Sequence, residues 1–388
     1  MSGKPIKDMI ISTMQNGPET LKELEMAKKT GKDISLERGE VQKKVAQYHP
    51  SILHLTVSEI EPVSPIASRI RLVSDNGYLP PFEAGQYINV FCEIGGVRTS
   101  RPYSLSSSAK QRAYYEITVA AVENGFVSGH LLQHLKPGDH LEANGPAGVF
   151  RYQPVFHSKK SVFLGGGSGI TPFVSMIRTA LESGEDRDIT LLYGSRTEEL
   201  AMYHRELSAF AERHPNFHYT LVLSDEEKEG MEHGFIDAER IRAHVPDILD
   251  CTYYMCGPAV MMEFCRKALE ELQIPGRSIR REVFGTRRDI WNEPGWPEGM
   301  TGEEMFQIKV GDQNIEAKSG ESVLTALERS GLRVNVCCRS GECSLCRVQL
   351  VSGKVFTAQG ALLRHADELF GYIHSCKAYP VSDLELRF

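Results

Sequence analysis

The chain has 388 residues, more than one ordinary domain folds around a single core, and its 41% hydrophobic and 24% charged residues describe globular rather than disordered protein. A net charge of −7 gives no global basic field for nucleic acid or an anionic membrane surface. The N-terminal residues lack the apolar core and small-residue cleavage site of a secretion signal, and no apolar run approaches the roughly 20 residues that span a bilayer. The sequence therefore predicts a cytoplasmic protein. In that reducing compartment clustered cysteines read as metal ligands before disulfides, and five of the nine fall between Cys337 and Cys376.

Residues 1–50 read as a helical extension: one segment places Met9, Ile10 and Met14 on a common face, and a second opens with Pro18 directly after Asn16-Gly17. They carry no catalytic chemistry, which leaves packing on a neighbouring domain or subunit, or docking of a partner. Over 51–155 the pattern changes to short alternating runs, ILHLTVSEI, ASRIRLVS, QYINVFCEI and YYEITVAAV, separated by Gly and Pro, as in a small antiparallel barrel or sandwich. Over 156–285 strands (SVFLGGG, DITLLYGS, HYTLVLS, TYYMCG) alternate with helical stretches, which predicts a parallel sheet covered on both faces. Residues 286–303, rich in Pro, Gly and charge and holding both tryptophans, read as a linker pinned by those rings. Residues 304–388 form a last unit of strands, a helix SVLTALERSG and a cysteine loop.

That loop is the strongest signal. Cys338, Cys343 and Cys346, followed later by Cys376, have the C-x4-C-x2-C…C spacing of plant-type [2Fe–2S] sites. Gly341 with the small Ser340 and Ser344 lets the backbone wrap the sulfides and donate N–H bonds to them. Structural zinc favours paired C-x2–4-C knuckles, of which only one is present. Cys337, just before the first ligand, reads as a small buried side chain rather than a fifth ligand.

Two nucleotide-type sites precede it. Arg101, Tyr103 and Ser104 end a strand with a guanidinium for phosphate, an aromatic ring for a flavin and a hydroxyl for its N5. Gly125, Val127 and Ser128 open an apolar helix suited to a pyrophosphate. Strand SVFL runs into Gly166, Gly167, Gly169, Thr171 and Pro172 before a helix, an anion cradle, while Cys256-Gly257-Pro258 follows the TYYM strand at the sheet edge where such folds bind ligands.

Taken in this order, over residues 54–285, these motifs resemble the ferredoxin–NADP reductase superfamily, and the fused C-terminal unit resembles a plant-type ferredoxin domain. The resemblance implies a multidomain α/β plus β fold: an antiparallel flavin-binding β-barrel, a parallel α/β nucleotide-binding domain, a β-grasp-like ferredoxin domain and the helical extension. It implies that Arg101, Tyr103 and Ser104 hold the flavin, Phe284 covers its ring, Thr171 lies near the nicotinamide and Cys256 near the hydride-transfer site, with Ser104 and Cys256 as the catalytic positions. The Gly125–Ser128 loop favours FAD over FMN. Ser195-Arg196 could take the 2′-phosphate of NADPH, but Asp225 after the next strand opposes a dianion, which favours NADH. Electrons would pass from NAD(P)H through FAD and [2Fe–2S] to a redox protein, either an oxygenase or hydroxylase component or an anaerobic metalloprotein such as a corrinoid protein needing reductive activation. Neither the acceptor nor the oligomeric state is written in a motif.

Overall fold

The computed structural model describes residues 11, 13, 14, 16–30, 41, 43–123, 125–285 and 289–388. The chain divides into two compact units, Met1–Ser51 and Ile52–Phe388. In the first, helix α1 (Gly17–Thr30) carries Glu19 in its first turn and follows Asn16 at φ 62°. Met9 and Ile10 of the expected apolar face lie outside the described residues.

In the larger unit, strands β1 (Leu53–Ser64), β2 (Ala67–Ser74), β3 (Tyr87–Ile94), β4 (Val97–Ser104), β5 (Tyr115–Ala120) and β6 (His140–Ala147) pair antiparallel in the order β4-β3-β6-β1-β2-β5. Alternation sets their register: Leu53, Leu55 and Val57 point inward while His54 and Ser58 face water. A bridge between Leu105 and Ile117 joins the two edges and closes the sheet into a barrel. Helix α2 (Phe126–His134) caps it with buried Val127 and Leu131.

The next sheet runs β10 (Glu232–His233), β9 (Phe217–Leu223), β8 (Asp188–Ser195), β7 (Lys160–Gly166), β11 (Thr252–Cys256) and β12 (Ile279–Glu282), all parallel. Alternate residues of each strand enter different cores. Phe163, Leu191 and Tyr254 pack with Phe173 and Leu207 of helices α3 (Thr171–Glu182) and α4 (His204–Arg213). Val162, Leu192 and Tyr253 pack instead with Ile241 of α5 (Ala238–His244) and Leu269 of α6 (Ala259–Glu271). The strand order reverses between β7 and β11, so their C-terminal ends form the crevice where open α/β sheets bind ligands.

Arg178 on α3 ties this sheet to the barrel. Its guanidinium donates to Ser106 O (2.8 Å) and Glu116 Oε2 (2.9 Å) of the barrel and to both carboxylate oxygens of Glu206 on α4 (2.7 and 2.8 Å). Glu116 is only 2% exposed and Arg71 reaches only its Oε1, so losing Arg178 leaves the buried Oε2 without its partner. Arg178→Met is expected to lower unfolding stability by about 3 kcal/mol, read as a fall in the urea midpoint at unchanged slope; an unmoved midpoint contradicts this.

The last large sheet, β14-β13-β19-β15-β17, joins β13 (Met305–Val310), β14 (Gln313–Lys318), β15 (Arg347–Ser352), β17 (Tyr372–His374) and β19 (Leu384–Arg387), with β13 and β19 parallel at its centre. Strands β16 (Val355–Thr357) and β18 (Ala378–Pro380) form a separate antiparallel pair. Helix α7 (Val323–Arg329) packs Val323, Ala326 and Leu327 on the core of the larger sheet, in the β-grasp manner. Of the segment before this domain, residues 286–288 lie outside the described residues; beyond them Trp296 packs on Phe356 and Tyr379 and donates to Met300 O at 2.9 Å.

Candidate functional site

The four cysteines of the C-terminal spacing come together as two pairs. Cys346 and Cys376 have their Sγ atoms 3.3 Å apart, and Cys338 and Cys343 are joined by a side-chain hydrogen bond. Cys338 Sγ also accepts from the backbone N–H of Ser340 and of Cys343, each at 3.4 Å. The hydrogen bond from Cys343 lowers the Cys338 thiol against the opposing effect of burial, and Cys376 lowers Cys346 in the same way. The loop reaches this geometry through positive φ at Arg339 (52°), Gly341 (80°) and Ser344 (58°). At Gly341 a Cβ would also meet Lys377 Cγ at 2.8 Å, so glycine is required on both counts. Among the described residues no three His, Cys, Asp or Glu side chains converge as for a single metal ion. Two thiolates for each of two irons is what a [2Fe–2S] cluster takes, and the pairs fit it. Cys337 is 3% exposed and hydrogen-bonds the Tyr87 side chain of the barrel.

Beside this loop lies a cavity of about 500 Å³ lined by all three sheet domains. The barrel supplies Arg101, Tyr103, Ser104, Gly125, Val127 and Ser128; the parallel-sheet domain supplies Ser168 and Thr171; Phe284 follows β12. The C-terminal domain closes it with Ser322, Leu324, Thr325, Arg339 and Cys376. Ser104 Oγ is buried with no hydrogen-bond partner among the described residues, leaving a hydroxyl for a ligand. Burial pushes the Tyr103 phenol up, keeping it neutral. Burial and then the neighbouring Arg339 push the Arg101 guanidinium down. An unpaired hydroxyl, a neutral aromatic ring and a crowded cation in one cavity fit a flavin carrying phosphate.

At the switch point the glycine motif and the Cys256 turn interlock. Gly166 ends β7, Gly167–Ile170 makes a 3₁₀ turn, and α3 begins at Thr171 with Pro172 in its first turn. A Cβ on Gly169 would stand 2.2 Å from Cys256 O, and one on Gly166 2.0 Å from Met261 Sδ. Gly257 lies against Gly166, and Pro258 caps α6. Cys256 itself is 1% exposed and burial raises its thiol, so its side chain belongs to the core while its carbonyl borders the turn. At the ends of β8 and β9, Ser224 N donates to Ser195 O (3.0 Å), and the Arg196 guanidinium donates to Asp225 Oδ2 (2.6 Å).

Several residues at this centre went unread in the sequence. Glu282 pairs in register with Cys256, is 4% exposed and has an unpartnered Oε2; burial, then Glu342, then Cys338 hold it protonated far above the usual carboxylate range. Tyr87 stands edge-on to Phe284 with ring centres 6.2 Å apart. Asn89 and Asn144 of the barrel both donate to Val336 O, each at 3.2 Å, just before the cysteine loop. Thr99 donates to Glu328 Oε2 at 2.9 Å, and Arg339 pairs with Glu328. Such residue types are ordinary surface or strand residues until the domains are docked.

Residues 54–152 match the oxidoreductase FAD-binding domain, 163–267 the oxidoreductase NAD-binding domain and 307–381 the 2Fe-2S iron-sulfur cluster binding domain. The glycine betaine monooxygenase reductase subunit of Pseudomonas aeruginosa is 28% identical over 81% of this chain and 90% of its own length. One component of the 1,2-phenylacetyl-CoA epoxidase of Escherichia coli is 28% identical over 79% of this chain and 88% of its own. The solved structure of phthalate dioxygenase reductase superposes with a TM-score of 0.65 at 25% identity, over 87% of this chain and 98% of that one. The chain is an NAD(P)H-dependent oxidoreductase with FAD and a [2Fe–2S] cluster, and it belongs to the ferredoxin–NADP reductase superfamily with a fused C-terminal plant-type ferredoxin domain.

Proposed function

We propose that the chain is the cytoplasmic reductase component of an oxygenase or hydroxylase system, drawing on NADH. The observation that carries this reading is the single cavity whose walls are Ser104 of the barrel, Thr171 of the parallel-sheet domain and Cys376 of the cysteine quartet. FAD bound there supplies the link between a two-electron hydride donor and one-electron carriers. Arg101 holds its phosphate, Tyr103 and Phe284 flank its ring, Ser104 offers a hydroxyl to N5, and Gly125, Val127 and Ser128 take the pyrophosphate. Gly166, Gly167, Gly169, Thr171, Pro172 and Cys256-Gly257-Pro258 seat the nicotinamide nucleotide at the switch point. Rate then comes from positioning rather than from a proton-transfer residue. Leu345, half exposed beside the buried Cys346, offers a short apolar exit toward an acceptor.

The relatives named as a monooxygenase reductase and as part of an epoxidase favour an oxygenase partner over a corrinoid protein. The test is reconstitution: NADH-driven reduction of a purified oxygenase component at catalytic rates supports the reading, whereas reduction only of a cob(II)alamin protein favours the other.

NADH over NADPH rests on the Arg196–Asp225 pair, in which the Ser224 hydroxyl and then Arg196 lower the Asp225 carboxyl. Its full negative charge suits a ribose diol and repels a 2′-phosphate, and the Arg196 guanidinium that would take such a phosphate is already bonded to it. Asp225→Ser is expected to raise kcat/KM for NADPH about tenfold while lowering that for NADH, in steady-state assays with each coenzyme; an unchanged ratio contradicts the assignment.

A further inference from the structure

Two guanidiniums meet in the wall of the flavin cavity. Arg101 and Arg339 both line it, one from the barrel and one from the cysteine loop. The carboxylate between them is Glu328 of α7, itself 8% exposed, so the buried group carries two guanidiniums against one carboxylate. Arg339 is also 8% exposed, and its bonds to Glu328, Thr99 Oγ1 (3.2 Å) and Ser100 Oγ (3.3 Å) all run through Nη2. Its Nε is buried with no partner among the described residues. A planar donor set that is left half unused in a cavity wall, beside a second guanidinium, is what a phosphate recognises.

We infer that Arg339, from the ferredoxin domain, is a second phosphate-binding residue of the flavin site, so that FAD itself joins the barrel to the cluster domain. This rests on the placement of the flavin against Arg101 and Ser104. The barrel and the cysteine loop already meet through Asn89, Asn144 and Val336. A phosphate shared by Arg101 and Arg339 adds the contact whose strength depends on the cofactor. Loading the flavin then fixes the distance over which single electrons pass, and losing it loosens the same interface. The crowding of Arg101 by Arg339 is relieved when the anion enters.

The test uses the full chain with its cluster intact, checked by visible circular dichroism, stripped of flavin and titrated with FAD, FMN and riboflavin by fluorescence. Arg339→Met is expected to weaken FAD and FMN about ten- to a hundredfold and leave riboflavin unchanged, while Arg339→Lys recovers part of the loss. Equal loss for riboflavin would make Arg339 a prop between domains, and no loss for any flavin would remove it from the site; either overturns the inference. Glu328→Gln gives an independent reading should Arg339→Met not fold: freeing Arg339 tightens FAD several-fold in a salt-sensitive way, and unchanged or weaker binding contradicts the proposal. Arg101→Met separates the two levels. Unchanged FAD affinity there sinks the placement of the flavin itself, whereas loss in Arg101→Met without loss in Arg339→Met sinks only the second phosphate contact.

Discussion

Cys338→Ser is expected to leave NADH oxidation by a two-electron dye within about twofold of the parent while cutting cytochrome c or partner reduction by about a hundredfold or more. The reason is local. Cys338 Sγ is the focus of the amides of Ser340 and Cys343, and a serine oxygen is a harder, more basic ligand than the thiolate that iron prefers in such clusters. The nucleotide crevice between β7 and β11 is built by other residues, and the substitution does not touch it. Cytochrome c reduction at the parent rate would mean that electrons leave by a route that bypasses the quartet.

Gly169→Ala carries the second large effect, at the other end of the same path. The new methyl would lie 2.2 Å from the Cys256 carbonyl and 2.6 Å from Gly257 N, both backbone atoms that cannot swing aside. The two turns that form the crevice must part, and kcat/KM for NADH is expected to fall about a hundredfold, roughly 2.7 kcal/mol of transition-state stabilisation. FAD and iron content should be unaltered. Gly167→Ala is the control: its φ of 51° costs about 1 kcal/mol, but nothing lies within 4 Å of the added carbon, so activity should change only a few-fold. Equal losses in the two variants would show that backbone strain, not the contact with Cys256, governs this turn.

How much of this was legible in the sequence depended on whether a signal was local. β1 and β2 alternate cleanly because one face meets a core and the other water, and the parallel strands read as apolar runs because helices cover both faces. β4 has no such pattern: Thr99, Ser100 and Arg101 turn to the cluster domain and the cavity, so polar residues are buried there. β12, Ile-Arg-Arg-Glu, is too short and charged to read as a strand, and it is placed only by pairing with β11. The site divides in the same way. The cysteine spacing, the glycine turn and the Arg101–Ser104 run are local motifs. Arg339 hides as filler between Cys338 and Cys343, and Glu282 as one acid in a charged run. Their roles arise from contacts such as Arg339 with Thr99 and Glu282 beside Glu342, which bring together segments far apart in the chain.

The central claim is that one cavity couples the nucleotide crevice to the cysteine quartet. Anaerobic titration with NADH, and separately with NADPH, followed by visible absorption, tests it most directly. The account predicts that the flavin bands bleach together with the cluster absorbance, at lower NADH than NADPH. Bleaching of the flavin alone, with the cluster spectrum unchanged, would contradict it and leave a flavin reductase with an uncoupled C-terminal domain.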